Sequence, residues 1–177
     1  MQAGNTTLHR YLLWALLLIS LNTFGSLTPE AEDRLRQNIV KEAQSYVGVC
    51  ETSPNCSPDI QIWCNMHGLP CGISWCAIFF GAMYKLCGVK AIMNAWSPAW
   101  FPPDRRITFE KAKPADAYGI YFPSLGRIGH IGMVAKKIRR DVYGVEGNSN
   151  NNGSREGKWV VNKIRDKDVC TFACWIK

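Results

Sequence analysis

Apolar positions change period once along the chain, and the change separates a helical part from a strand part. Thr28-Pro29-Glu30 opens a helix, with a hydroxyl to cap it, proline in the first turn and an acid near the positive end of the dipole. Leu35, Ile39, Ala43 and Val47 then recur every four residues, with Val40 and Tyr46 beside them, and Gly48 ends the pattern. This predicts an amphipathic helix with one buried face. Residues 50–75 hold four cysteines, three prolines and little periodicity, which predicts a loop with at most one short helix over 59–68. Residues 76–88 are apolar almost all round, with Lys85 the single charge and Gly88 the stop. They predict a central, buried helix.

A Trp-Pro-rich connection covers 95–109, and after Pro114 the period shortens to two. Short β-type runs cover 117–122, 129–137, 142–148, 158–164 and 171–177, separated by Gly, Asn, Asp and Ser. Helices followed by antiparallel strands predict an α+β domain with the helices packed on one face of the sheet. No repeat, linker or second domain is visible.

Composition narrows the class. Hydrophobic residues are 47% and charged residues 20%, which excludes a disordered, collagen-like or coiled-coil chain. Residues 1–25 run from Arg10 through an apolar stretch, Tyr11 to Phe24, to the small residues Gly25 and Ser26. That order predicts a secretory signal peptide, with 26–177 as the folded domain and a secreted or periplasmic location. The competing reading is an uncleaved anchor, for which the apolar stretch is short. Export would place all eight cysteines where disulfides are permitted. The net charge is +7, and six of those charges lie beyond the leader, which suits an anionic cell-wall or membrane surface. The basic residues are scattered and not interleaved with aromatics, so no nucleic acid is expected as a partner. No Cys-x-x-Cys pair occurs, so no zinc site is expected. No cofactor is expected, and the chain is expected to be a monomer.

Four residues are candidates for chemistry. Cys76 opens the central helix, where free amides and the dipole favour a thiolate. Spacing alone favours Cys76 as half of a disulfide. His130, flanked by glycines at a strand start, could serve as the base; a structural histidine is the alternative. Glu146 and Asn148 alternate onto one face of a strand, where a carboxylate or amide could orient the imidazole. Glu146 stands among apolar neighbours and so needs a partner, unless the strand is a solvent-facing edge. Trp75, Trp96 and Trp100 are candidates for substrate binding beside the helix; Trp96, Trp100 and Phe101 could equally be core.

Together these segments resemble the CHAP family, the cysteine- and histidine-dependent amidohydrolases/peptidases, within the papain-like NlpC-type cell-wall hydrolases. SWCAIFFGAMYKLCGV is similar to the family's nucleophile helix, and KPADAYGIYFP to the Pro-Gly-Asp strand that follows, with Ala115 where glycine is usual. GHIGMV resembles the histidine strand, and VEGNSNNNGSREGKWVVNKIR the acid strand and its hairpin. The resemblance runs from about Glu42 to the C-terminus, with the motifs in the family's order.

The resemblance implies a papain-like fold and hydrolysis of an amide bond in peptidoglycan. The product class would be that of an N-acetylmuramoyl-L-alanine amidase or a peptidoglycan endopeptidase. It makes Cys76 the nucleophile, His130 the general base, Glu146 its orienting partner and Asn148 a second polar partner, with the Cys76 N–H in an oxyanion hole. Cys50, Cys56, Cys64, Cys71, Cys170 and Cys174 fall outside the family pattern and are expected to form disulfides. Setting Cys76 aside leaves an odd number, and Cys87 is the candidate free thiol. A Cys71–Cys76 bridge is incompatible with the enzyme reading. The alternative is an inactive secreted wall-binding or toxin-like module on the same fold; retention of both Cys76 and His130 argues against it.

Overall fold

The computed structural model describes residues 27–150 and 157–176, so the expected leader over 1–25 lies outside the described residues. Among the described residues no helix is long and apolar enough to cross a membrane.

Helix α1 spans Pro29–Ser45. The Thr28 hydroxyl accepts from the Ala31 N–H at 3.2 Å, with Pro29 in the first turn as the sequence pattern predicts. The helix buries Ile39, Val40 and Ala43, and Gly48 turns the chain with φ of +99°. It also buries a charge, which the apolar pattern does not show. Arg36 donates to Glu32 at 2.7 Å, to Asp116 at 2.8 Å and to the Pro114 carbonyl at 2.9 Å. These bonds tie α1 to the start of the sheet, and the pairing is what makes the buried guanidinium tolerable.

Helix α2, Pro58–Met66, is capped by Ser57 and inserts Ile60, Trp63 and Cys64 into the core. A Cys56–Cys71 disulfide closes the loop around it. Helix α3, Cys76–Leu86, is buried continuously from Cys76 to Tyr84. Lys85, at the edge of that run, donates to the Met66 carbonyl at 2.8 Å.

Six strands follow: β1 (Arg106–Ile107), β2 (Ala117–Phe122), β3 (Arg127–Ile138), β4 (Asp141–Ser149), β5 (Trp159–Asp166) and β6 (Cys170–Ala173). They form one antiparallel sheet in the order β1-β6-β2-β3-β4-β5. The α+β architecture expected from the sequence is therefore present. Strand β1 was not expected: two residues paired with Phe172 and Ala173 are too few to show an alternation.

The main core lies between α3 and strands β3 and β4 and is rich in large aromatics. Trp63 meets Phe79 at 5.1 Å between ring centroids, Phe80 meets Trp100 at 4.9 Å, and Trp100 meets Trp175 at 5.4 Å. A smaller cluster of Tyr118, Val134, Val142 and Phe172 covers the other face of the sheet.

The cysteine expectation needs correction. Cys50, Cys64, Cys170 and Cys174 are free thiols, as is Cys87. Cys50 bridges to Trp159 on edge strand β5, while Cys170 opens β6 four strand spacings away, about 19 Å at ~4.8 Å per spacing. A disulfide needs Cα atoms within about 7 Å. Cys170 and Cys174 are themselves separated by about 13 Å of extended chain, given ~3.3 Å per residue. Cys64 faces the core from α2, and burial raises its thiol pKa.

Candidate active site

Cys76 is the first residue of α3, and the start of that helix is pinned from two sides. The Trp75 indole N–H donates to Glu51 at 2.9 Å. With its side-chain amide oriented to satisfy both groups, the Asn148 oxygen accepts from the Trp75 backbone N–H at 3.2 Å while its nitrogen donates to the Gly157 carbonyl. The helix therefore begins at a set place, with first-turn amides that lack intrahelical acceptors. Cys71 is engaged by Cys56, so Cys76 keeps its thiol. Its sulfur lies 3.4 Å from the Ser97 hydroxyl and within hydrogen-bonding reach of the His130 imidazole. Burial opposes ionisation of Cys76. The hydrogen bond to His130, the charge of His130, Ser97 and the Ile131 N–H together outweigh it, so the thiol pKa is lowered.

His130 stands on β3 opposite Ile120, where the pairing with β2 shifts between Ile120 and Tyr121. Gly129 occupies that irregularity, and a Cβ there would come within 2.8 Å of Phe122 and 2.9 Å of Leu125. The absence of that Cβ lets the strand pass close to the 123–125 turn and delivers His130 to the start of α3. His130 Nε2 lies 3.0 Å from Glu146 Oε2. An ionised carboxylate only accepts, so Nε2 is the donor and Nδ1 is left to face the sulfur.

Glu146 is fully buried on β4 and is satisfied from three further directions. Oε1 accepts from the Tyr118 hydroxyl at 2.8 Å and from Arg165 Nε at 2.9 Å. Oε2 accepts from Ser149 Oγ at 2.6 Å and from Arg165 Nη2 at 2.9 Å. The strand register explains the convergence. Tyr118 pairs with Gly132, and its ring fills the space that side chains at Gly132 and Gly144 would occupy. His130 lies two residues from Gly132, and Glu146 two residues from Gly144, so all three side chains share a face.

The electrostatics follow from that packing. Burial favours a neutral Glu146, but the hydrogen bonds and charges of His130 and Arg165 hold its carboxyl far below the usual carboxylate range. Burial likewise favours neutral imidazole, yet Cys76 and Glu146 on its two sides push the His130 pKa up to about 10. The shifts all run toward thiolate, imidazolium and carboxylate, the direction that would activate Cys76 as a nucleophile.

Several expectations are corrected. Asn148 does not share the face of Glu146. The pairing of β4 with β5 shifts between Glu146 and Ser149, and Asn148 takes a left-handed backbone with φ of +52°, so alternation fails there. Its amide holds the start of α3 and does not bond to His130. Trp75 and Trp100 are both 0% exposed, so neither can touch a substrate, and Phe101 is buried with them. Trp100 donates its indole N–H to the Asn94 carbonyl at 2.9 Å. Trp96 is 56% exposed and stands at the lip of a cleft of about 160 Å³. The cleft is lined by Cys76, His130, Ser97, Arg127 and Asn148 together with Trp96.

Tyr118, Ser149 and Arg165 surround Glu146, and Ser97 and Arg127 line the cleft, yet none stood out in the sequence. Tyr118 and Arg165 sit in strand runs where an aromatic or an alternating charge is ordinary. Arg165 carried one signal: a buried glutamate requires a cation, and Arg165 is on the strand after it.

Comparison of the chain with protein-family models, with curated proteins and with solved structures finds no match.

Proposed function

We propose that this protein is a secreted cysteine amidohydrolase/peptidase, papain-like in fold and of the CHAP type, that hydrolyses an amide bond in peptidoglycan. One observation carries the reading: the helix-start thiol of Cys76 meets His130, whose far nitrogen is held at 3.0 Å by Glu146.

The chemistry these residues can perform is acyl transfer to sulfur and then to water. The Cys76 thiolate attacks the carbonyl carbon, and the carbonyl π electrons move onto oxygen. The Cys76 backbone N–H and the Ser97 hydroxyl, 3.4 Å from the sulfur, are the donors for that oxyanion. Collapse of the tetrahedral intermediate breaks the C–N bond as the His130 imidazolium protonates the leaving amine. A thioester remains. Neutral His130 then takes a proton from water, hydroxide adds to the thioester, and the acid leaves with the Cys76 thiolate and His130 imidazolium restored. Glu146 holds the imidazole in one tautomer through both halves.

Mass spectrometry of muropeptides released from purified peptidoglycan, with Cys76→Ala alongside, tests this. Fragments that require Cys76 support a cysteine hydrolase, and their masses separate an amidase from an endopeptidase. No Cys76-dependent fragment from folded protein would favour the wall-binding module.

A further inference from the structure

We propose that Arg127 is a specificity residue that recognises a carboxylate on the substrate next to the bond being cut. The proposal rests on the hydrolase reading of Cys76 and adds to it the charge of the preferred substrate.

Arg127 opens β3, three residues before His130, and lines the same cleft as Cys76. One guanidinium nitrogen, Nη1, donates to the Ile128 carbonyl at 3.0 Å. Among the described residues no carboxylate pairs with it, whereas Arg36, Arg140 and Arg165 each hold an acid. A guanidinium has five N–H donors in a planar fork suited to a carboxylate. Most of those of Arg127 therefore remain available on the cleft side.

The rest of the cleft has the same sign. Among the described residues no aspartate or glutamate lines it, and Glu146 lies behind His130 at 0% exposure. That acid is already matched by Arg165 and His130. Among the described residues the cleft thus presents Arg127 as a charge without an acid partner beside the Cys76–His130 pair, and cleft walls of low dielectric strengthen its field. Exposed Trp96 supplies an apolar lip for the uncharged part of the ligand. The occupant that fits is a peptide amide with a free carboxylate on a residue flanking the scissile bond.

Paired alkylation of the full chain tests this without relying on hydrolysis. Iodoacetate and iodoacetamide both react by attack of the thiolate on carbon, forming the S–C bond as iodide leaves, and differ in one negative charge. Rates are followed by mass on the Cys76-containing peptide near pH 7, because other free thiols are present. In Arg127→Gln the iodoacetate rate should fall about five-fold while the iodoacetamide rate stays within about two-fold. Arg127→Lys, which keeps the charge, should recover most of the loss. On peptidoglycan, the same Gln variant should raise KM for fragments with free carboxylates and leave kcat unchanged. Equal rates with both reagents in wild type and Arg127→Gln would overturn the carboxylate role. A wild-type Cys76 that reacts with neither reagent would instead remove the nucleophile on which both readings stand.

Discussion

Arg165 grips both oxygens of Glu146, with Nε on Oε1 and Nη2 on Oε2, each at 2.9 Å. The carboxylate that orients His130 is therefore itself oriented, by a planar fork from the neighbouring strand. A single hydrogen bond would leave the carboxylate free to rotate about its side-chain axis. Two parallel bonds prevent that, and the Tyr118 hydroxyl on Oε1 and Ser149 beside His130 on Oε2 complete the shell of donors.

Replacing Arg165 with Gln should weaken both the fold and the site. It leaves Glu146 buried with one charged partner where there were two. The expected loss is about 2 kcal/mol, below the usual cost of breaking a buried pair because Arg165 keeps 26% of its side chain in solvent. Urea unfolding measures this, and a midpoint equal to wild type would show that the fork contributes nothing to stability.

The lowered pKa of Cys76 depends on His130 against the opposing effect of burial. His130→Ala removes the hydrogen bond and charge and leaves the burial, so the thiol pKa should rise above its ordinary value. Alkylation of the Cys76 peptide by iodoacetamide at pH 7 should fall about ten-fold or more, and recover as the pH is raised above about 9. An unchanged pH–rate profile would mean that the imidazole does not set the ionisation of Cys76.

Stability should vary with pH on both sides of a plateau. The Glu146 carboxyl pKa is depressed in the fold, so its contribution is complete above the unfolded value of roughly 4.3 and is lost as pH falls through the folded one. The His130 pKa is raised to about 10, so its contribution is complete below the unfolded value, roughly 6.5, and is lost as pH climbs through the folded one. The lowered Cys76 thiol offsets the His130 loss up to its unfolded value of roughly 8.5, so urea midpoints should be highest near neutral pH and lower at pH 3 and above about pH 10. Glu146→Gln should flatten the acid side of this profile; an acid limb as steep as that of wild type would remove Glu146 as its source.

Gly144 should tolerate no side chain. A Cβ there collides with the ring of Tyr118, which is fully buried and cannot swing away. Gly144→Ala should cost about 2–3 kcal/mol, in the range of overpacked cores, and should lower activity by displacing the Tyr118 hydroxyl from Glu146. Tyr118→Phe keeps the ring and loses one hydrogen bond, so it should cost about 1 kcal/mol. Thermal melts of the two variants compare them directly, and Gly144→Ala melting above Tyr118→Phe would refute the packing argument.

The sequence by itself determined the parts whose cause is local. Capping at Thr28, the four-residue recurrence along α1, the unbroken apolar run of α3 and the two-residue alternation after Pro114 are set by neighbours within a turn or a pleat. They suffice for the α+β order and for placing Cys76 at a helix start, with His130 and Glu146 on strands. Only the tertiary structure decided what meets what. Tyr118 reaches Glu146 from 28 residues away and Arg165 from 19, and both contacts follow from the register of β2 with β3 and of β4 with β5. The irregularity after Glu146 turned Asn148 from a partner of His130 into the anchor of α3, because one shift in pairing defeats alternation. Trp75 and Trp100 went to the core while Trp96 stayed in solvent, although all three sit in similar Trp-containing segments. An indole is apolar enough to bury and polar enough to expose, so its side of the surface is chosen by which helix and strand close over it.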